Sequence, residues 1–156
     1  MRRLMRLGVS LLLCFAAGFL GSIFVSDQIG SWYEVVQKPF FTPPNWIFPI
    51  VWTILYICMG IALWLVWEKD EDAAHVRGWV PLFIAHLIVN AAWTIFFFGY
   101  HATFIALVDI ILLWTCIVLL MIGAGEIDKR ASWLLAPYLA WVSFAALLNG
   151  AIWWLN

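Results

Sequence analysis

Residues 46–67 read WIFPIVWTILYICMGIALWLVW. No charged side chain interrupts the run. At 1.5 Å per residue, about 20 apolar residues match the roughly 30 Å hydrocarbon core of a bilayer. Four comparable runs flank it: Leu4–Val25, Trp79–Phe98, Thr103–Gly123 and Ser132–Leu155. The fold class they define is an all-α integral membrane protein, a bundle of five transmembrane helices forming one domain over residues 1–156. The composition agrees, at 66% hydrophobic and 11% charged, because soluble domains use about half apolar and a quarter charged residues. A net charge of −1 offers no footing for nucleic acid; the lipid bilayer is the partner this chain requires.

The first run also resembles a secretory signal, with MRRLMR before an apolar stretch that ends in small residues. It is long for one, LLLC is a poor lipoprotein signal, and a retained span is expected. Ala17, Gly18, Gly21 and Ser22 would let this helix pack closely on a neighbour. Arg2, Arg3, Arg6, Lys69, Arg77, Lys129 and Arg130 fall on one side of the five spans and Lys38 on the other. The positive-inside rule then places the amino terminus in the cytoplasm of a bacterial membrane. The connector EKDEDAAHVRG is expected as a solvated loop, and GYHA forces spans three and four into a hairpin. Cys14, Cys58 and Cys116 lie in three different spans and read as apolar filler.

Twelve tryptophans demand an account. Trp46, Trp67, Trp79, Trp133, Trp153 and Trp154 sit at span ends, where indole anchors at the interface. Trp52, Trp93, Trp114 and Trp141 lie deeper. A lipid-facing indole at that depth lacks a partner for its N–H, so these four are expected to face inward. Three helical stripes accompany them: Phe48, Trp52 and Tyr56; His86, Asn90, Trp93 and Phe97; Tyr138, Trp141, Ala145 and Asn149. Rings with sparse polar groups suit a pocket between helices, although polar groups such as Asn90 and Asn149 also glue helices together. Asp109 on span four is expected to make a structural bond to an indole, a phenol or a backbone group on another helix, with a proton relay as the alternative.

Between the first two runs stands KPFFTPPNW, residues 38–46. Pro43 and Pro44 stiffen it and enforce extended geometry. Asn45 is the expected cap of the second span. Upstream, Trp32, Val35 and Val36 can face down while Glu34 and Gln37 face water. The connector 26–45 therefore reads as a lid across the bundle end, with an interfacial segment that only anchors the protein as the alternative.

Trp32–Tyr33, Lys38–Pro39, Thr42–Pro43–Pro44, Trp46, Phe48–Pro49, Val51–Trp52–Thr53 and Leu55–Tyr56 together resemble the tryptophan-rich sensory protein/translocator protein (TspO/MBR, peripheral-type benzodiazepine receptor) family. The likeness continues through Asn90-x-x-Trp93, FFFG, ALVD at 106–109, PYLAW at 137–141 and Leu148–Asn149. The resemblance implies a homodimeric receptor that binds porphyrins (protoporphyrin, heme) without a required cofactor or metal. Its implied pocket comprises Tyr33, Phe48, Trp52, Tyr56, Asn90, Trp93, Trp141 and Ala145, with Trp32 in the lid; His86, Asp109 and Asn149, singled out from the spans themselves, are expected as polar support. Some bacterial members are reported to degrade porphyrin in light; Trp32 and Trp141 would then be the redox-active rings. A transporter is the third alternative. Two departures stand out. Phe41 replaces a frequent tryptophan, and LLNGAIWWLN lacks the tyrosine and basic residue of the proposed cholesterol motif. No acid–base dyad or activated nucleophile is legible, and His75, His86 and His101 lack metal-ligand spacing.

Overall fold

The computed structural model describes residues 1–25, 28, 30–69 and 74–156, with Ala74 by its backbone alone. Among the described residues six α-helices follow one another: α1 (Arg2–Ser22), α2 (Trp32–Val35), α3 (Ile47–Trp67), α4 (Ala74–Thr94), α5 (Thr103–Ile127) and α6 (Lys129–Leu155). A π turn, Ile95–Gly99, prolongs α4. All but α2 are long and apolar enough to cross a membrane.

The five long helices close into a ring. Going round, α1 packs on α3, α3 on α6, α6 on α5, α5 on α4, and α4 returns to α1. Met59, Leu63, Phe83, Ile117 and Leu135 fill its middle, each almost wholly buried. Two glycines set how near α1 and α3 approach. A Cβ on Gly60 would stand 3.0 Å from the Leu11 Cα, and one on Gly18 would stand 2.3 Å from the Tyr56 ring. The two helices therefore touch backbone to side chain at Gly60, while at Gly18 a tyrosine ring fills the gap.

Several helix ends differ from the sequence reading. α3 starts at Ile47 without a side-chain cap; the Ile47 N–H is taken by the Pro44 carbonyl at 3.0 Å. The proline pair supplies the stop, and Asn45 is not the cap. α4 begins at Ala74, so half of the expected charged loop is helical, and residues 70–73 lie outside the described residues. Trp79 is consequently a full turn inside α4 and 4% exposed. Its indole donates to the Leu120 carbonyl at 2.8 Å, which makes it a core residue and not an interfacial anchor. Trp46, Trp133 and Trp154 do lie exposed at helix ends.

Only Asp128 separates α5 from α6. Its carboxylate accepts from the Arg130 backbone N–H at 2.9 Å and caps α6. The Arg130 guanidinium approaches to 2.9 Å and the Lys69 ammonium, just beyond the end of α3, to 3.2 Å. Arg130, foremost by its hydrogen bond, and then Lys69 hold the Asp128 carboxyl well below the usual carboxylate range. One acid thus fastens three helices at a single corner.

Candidate functional site

The bundle is open near the end that carries the connector. A cavity of about 480 Å³ lies among α1, α3, α4 and α6. Rings make its walls: Phe15 and Phe19 from α1, Phe48, Trp52 and Tyr56 from α3, and Trp93, Phe97 and Phe98 from α4 and its π turn. Ala145, Leu148, Asn149 and Ile152 of α6 close the far side, and Tyr33 of α2 forms the roof. The π turn widens the last turn of α4, and Phe97 and Phe98 stand together in the cavity wall with ring centroids 4.9 Å apart. π turns recur at functional sites.

Several polar groups around the cavity answer one another. The Tyr56 hydroxyl donates to the Asn90 carbonyl oxygen at 3.0 Å, and the Asn90 amide donates to the Tyr138 oxygen at 2.9 Å. The Trp93 indole donates to Asn149 at 3.0 Å, and Asn149 donates to the Thr103 carbonyl at 2.8 Å. Buried polar groups are tolerated only when partnered. These bonds leave a cavity of mainly aromatic faces, with the Tyr33 and Thr94 hydroxyls, the Trp52 indole N–H and the Asn45 amide as the remaining polar groups of its lining.

The structure sorts the residues singled out in the sequence. Tyr33, Phe48, Trp52, Tyr56, Trp93, Ala145 and Asn149 line the cavity together. Asn90 does not line it; it stands behind Tyr56, 3% exposed. His86, fully buried, lies deeper. Its Nδ1–H donates to the Phe83 carbonyl at 2.5 Å, while Nε2 has no partner. Trp141 lines a separate groove on the outer side of α3 and α6, with Val51, Ile54, Pro137 and Phe144. Its ring meets Phe48 at 5.7 Å. Phe41, at the departed position, packs near Phe144 at 6.3 Å, above that groove and away from the cavity.

Two expectations are overturned. Trp114 faces outward, 40% exposed. Its N–H finds an acceptor in Ser143 of α6 at 2.9 Å, a cross-helix bond that the depth argument did not anticipate. Asp109 makes no structural bond: one carboxyl oxygen is buried without a partner. Sequence reading missed the α1 wall, because Phe15 and Phe19 belong to a run whose apolar residues look alike on every side.

Of the connector expected as a lid, Tyr33 roofs the cavity and Asn45 stands at its edge, while Asp27 and two neighbours fall outside the described residues. Tyr33 and Val36 are buried, and burial pushes the Tyr33 phenol up. Glu34 and Gln37 face out as expected. Val35 does not face down; it is 80% exposed, because a single turn of helix can bury only one side. Trp32 stacks on His101 at 4.3 Å with planes 9° apart, and His101 bonds Gln28 at 2.9 Å. His101 holds a left-handed φ of 54°, uncommon outside glycine. On the other flank the Asn156 amide pairs with both the N–H and the carbonyl of Gln37 at 3.0 Å. Lys38 donates to the Tyr33 carbonyl and stands 4.5 Å above its ring. Neither Trp32 nor Trp141, the two candidate redox rings, lines the cavity.

Five membrane-crossing helices around an aromatic cavity define a polytopic membrane protein with an internal, largely apolar cavity. The TspO/MBR family model matches residues 10–155. The chain is 44% identical to the tryptophan-rich protein TspO of Chlorobaculum tepidum, over 99% of this chain and 98% of that one. It is 42% identical to the TspO of Archaeoglobus fulgidus over 98% of both. With the Homo sapiens translocator protein it shares 36% identity over 86% of this chain and 80% of the relative. This chain belongs to the TspO/MBR family.

Proposed function

We propose that the chain is a membrane receptor holding a porphyrin-type tetrapyrrole, protoporphyrin or heme, in the cavity beneath the lid, and limiting or reporting its level. The observation that carries this reading is the wall itself. A cavity of about 480 Å³ falls within the roughly 300–1,000 Å³ of small-molecule sites. Indole and phenyl faces on three sides favour a large flat ring by offset or edge contact. A homodimer and a cytoplasmic amino terminus complete the proposal.

A titration of the purified protein with protoporphyrin in the dark, followed by tryptophan quenching, tests it. The wild type saturates in the micromolar range. Trp52→Ala, which removes a cavity ring, weakens binding about fivefold or more, as expected for about 1 kcal/mol of aromatic contact. Trp141→Ala, outside the cavity, stays near the wild type. Absence of saturation, or equal loss in both variants, sinks the reading.

A further inference from the structure

The cavity's exposed lining is all on one side. On α1, Phe15 is 39% and Phe19 68% exposed, and Ser22 is exposed as well. Opposite them, Asn45 before α3 and Pro49 and Thr53 within it are exposed. The lining residues of α4 and α6 are buried or half-buried. The opening therefore runs along the seam between α1 and α3. Thr53 lies six residues inside α3 and Phe15 seven residues inside the end of α1, about 9–10 Å along a helix. At that depth the medium outside is lipid and not water.

The seam's chemistry fits lipid. The Ser22 hydroxyl donates to the Phe19 carbonyl at 2.8 Å, and the Thr53 hydroxyl donates to the Pro49 carbonyl at 2.7 Å. Both polar side chains turn back into their own helices, as hydrocarbon requires. Apart from the Asn45 amide at the connector end, the rest of the rim is phenyl and pyrrolidine. Toward the other end the seam shuts at Gly60, where Leu11 leaves no gap. Across it stands the Tyr56 ring, 6.1 Å from Phe15.

The aqueous side is closed by contrast. Tyr33 is buried in the roof, Trp32 stacks on His101, and Asn156 clasps Gln37 by two hydrogen bonds. Entry through the lid must break these contacts and draw an apolar ligand through water. Entry through the seam needs only rotation of Phe15, Phe19 and Tyr56. Resting on the receptor reading above, we propose that ligand exchanges directly with the lid-side half of the bilayer through the α1–α3 seam, and that the lid stays closed throughout.

Exchange rates separate the routes. Protein in sealed vesicles is mixed with vesicles preloaded with protoporphyrin, and tryptophan quenching gives association and dissociation rates. Thr53→Trp, which fills the seam from α3, slows association and dissociation alike, each about tenfold, because an obstructed path changes both rates in the same direction, whereas a lost wall contact would speed dissociation. Ser22→Trp does the same from α1, and saturable binding at equilibrium together with an unchanged melting temperature shows that each variant is folded. His101→Ala combined with Asn156→Ala loosens the lid and leaves both rates near the wild type. Unchanged rates in both seam variants, or faster exchange in the lid variant, overturn the seam route while the receptor reading stands. A wild type that shows no saturable binding overturns both.

Discussion

Asn90 is the middle of a short chain of hydrogen bonds, with Tyr56 donating to it on the cavity side and Tyr138 accepting from it in the core. Tyr138 is fully buried, so Asn90→Ala strands its phenol. A lost interhelical bond with an orphaned group costs about 1–2 kcal/mol, and a lower unfolding temperature in detergent is the expected result. Asp128 makes a second residue-level case. Its carboxyl is held below the ordinary range by Arg130 and Lys69, so the folded state binds a proton less readily than the unfolded chain. The stabilisation is complete above the ordinary carboxyl value of about 4 and is lost as pH falls below it toward the lowered value. Melting curves from neutral to acid pH should show that loss in the wild type and less of it in Asp128→Asn. At neutral pH the variant should already be about 1 kcal/mol less stable from the weakened cap and ion pairs. The capping pattern was open to reading, since an aspartate precedes an apolar run. The reach of Lys69 from α3 was not, because 59 residues of chain separate the pair.

At the scale of elements, α1 and α3 decide whether a cavity exists. Contact at Gly60 and separation at Gly18 together make the two helices diverge toward the lid. Gly60→Ala places a methyl 3.0 Å from the Leu11 Cα, where backbone must move, and overpacking of this kind costs about 1–3 kcal/mol. Gly18→Ala meets the Tyr56 ring instead, at 2.3 Å. A ring can swing, so stability should fall less, but the swing carries the Tyr56 hydroxyl away from Asn90 and into the cavity. Thermal unfolding should separate the two glycines, with Gly60→Ala the more damaging. Protoporphyrin titration should reverse the order, with Gly18→Ala the weaker binder. An equal effect of both on stability would mean that the helices shift as rigid bodies at either site.

For the whole molecule, the asymmetry of basic residues predicts which end faces which compartment. Glu34 on the lid and Glu126 at the far end of α5 are both exposed. In intact cells, Glu34→Cys should react with a membrane-impermeant maleimide, and Glu126→Cys only after lysis. The reverse result would place the lid in the cytoplasm. The native cysteines lie within the spans and supply little background.

The five helices were legible in the sequence because lipid imposes a single requirement, an apolar run of sufficient length, that each segment must meet by itself. Helix ends were less legible. The proline pair and Asp128 acted as sequence chemistry dictates, whereas α4 ran on into charged residues once its end left the membrane. The stripes placed Phe48, Trp52, Tyr56, Trp93, Ala145 and Asn149 at one cavity, since helical spacing fixes which residues share a face, while Tyr33 was implied only by the family resemblance. It does not fix which neighbour that face meets. Asn90 and Trp141 share faces with cavity residues, yet Asn90 stands behind the wall and Trp141 turns into the outer groove. Trp114 found Ser143, and Asp109 found nothing. The order of helices around the ring, the seam between α1 and α3 and the clasp of the lid depend on contacts between segments far apart in the chain. An apolar helix is much the same on every side until its neighbours arrive, so those features were decided only by packing.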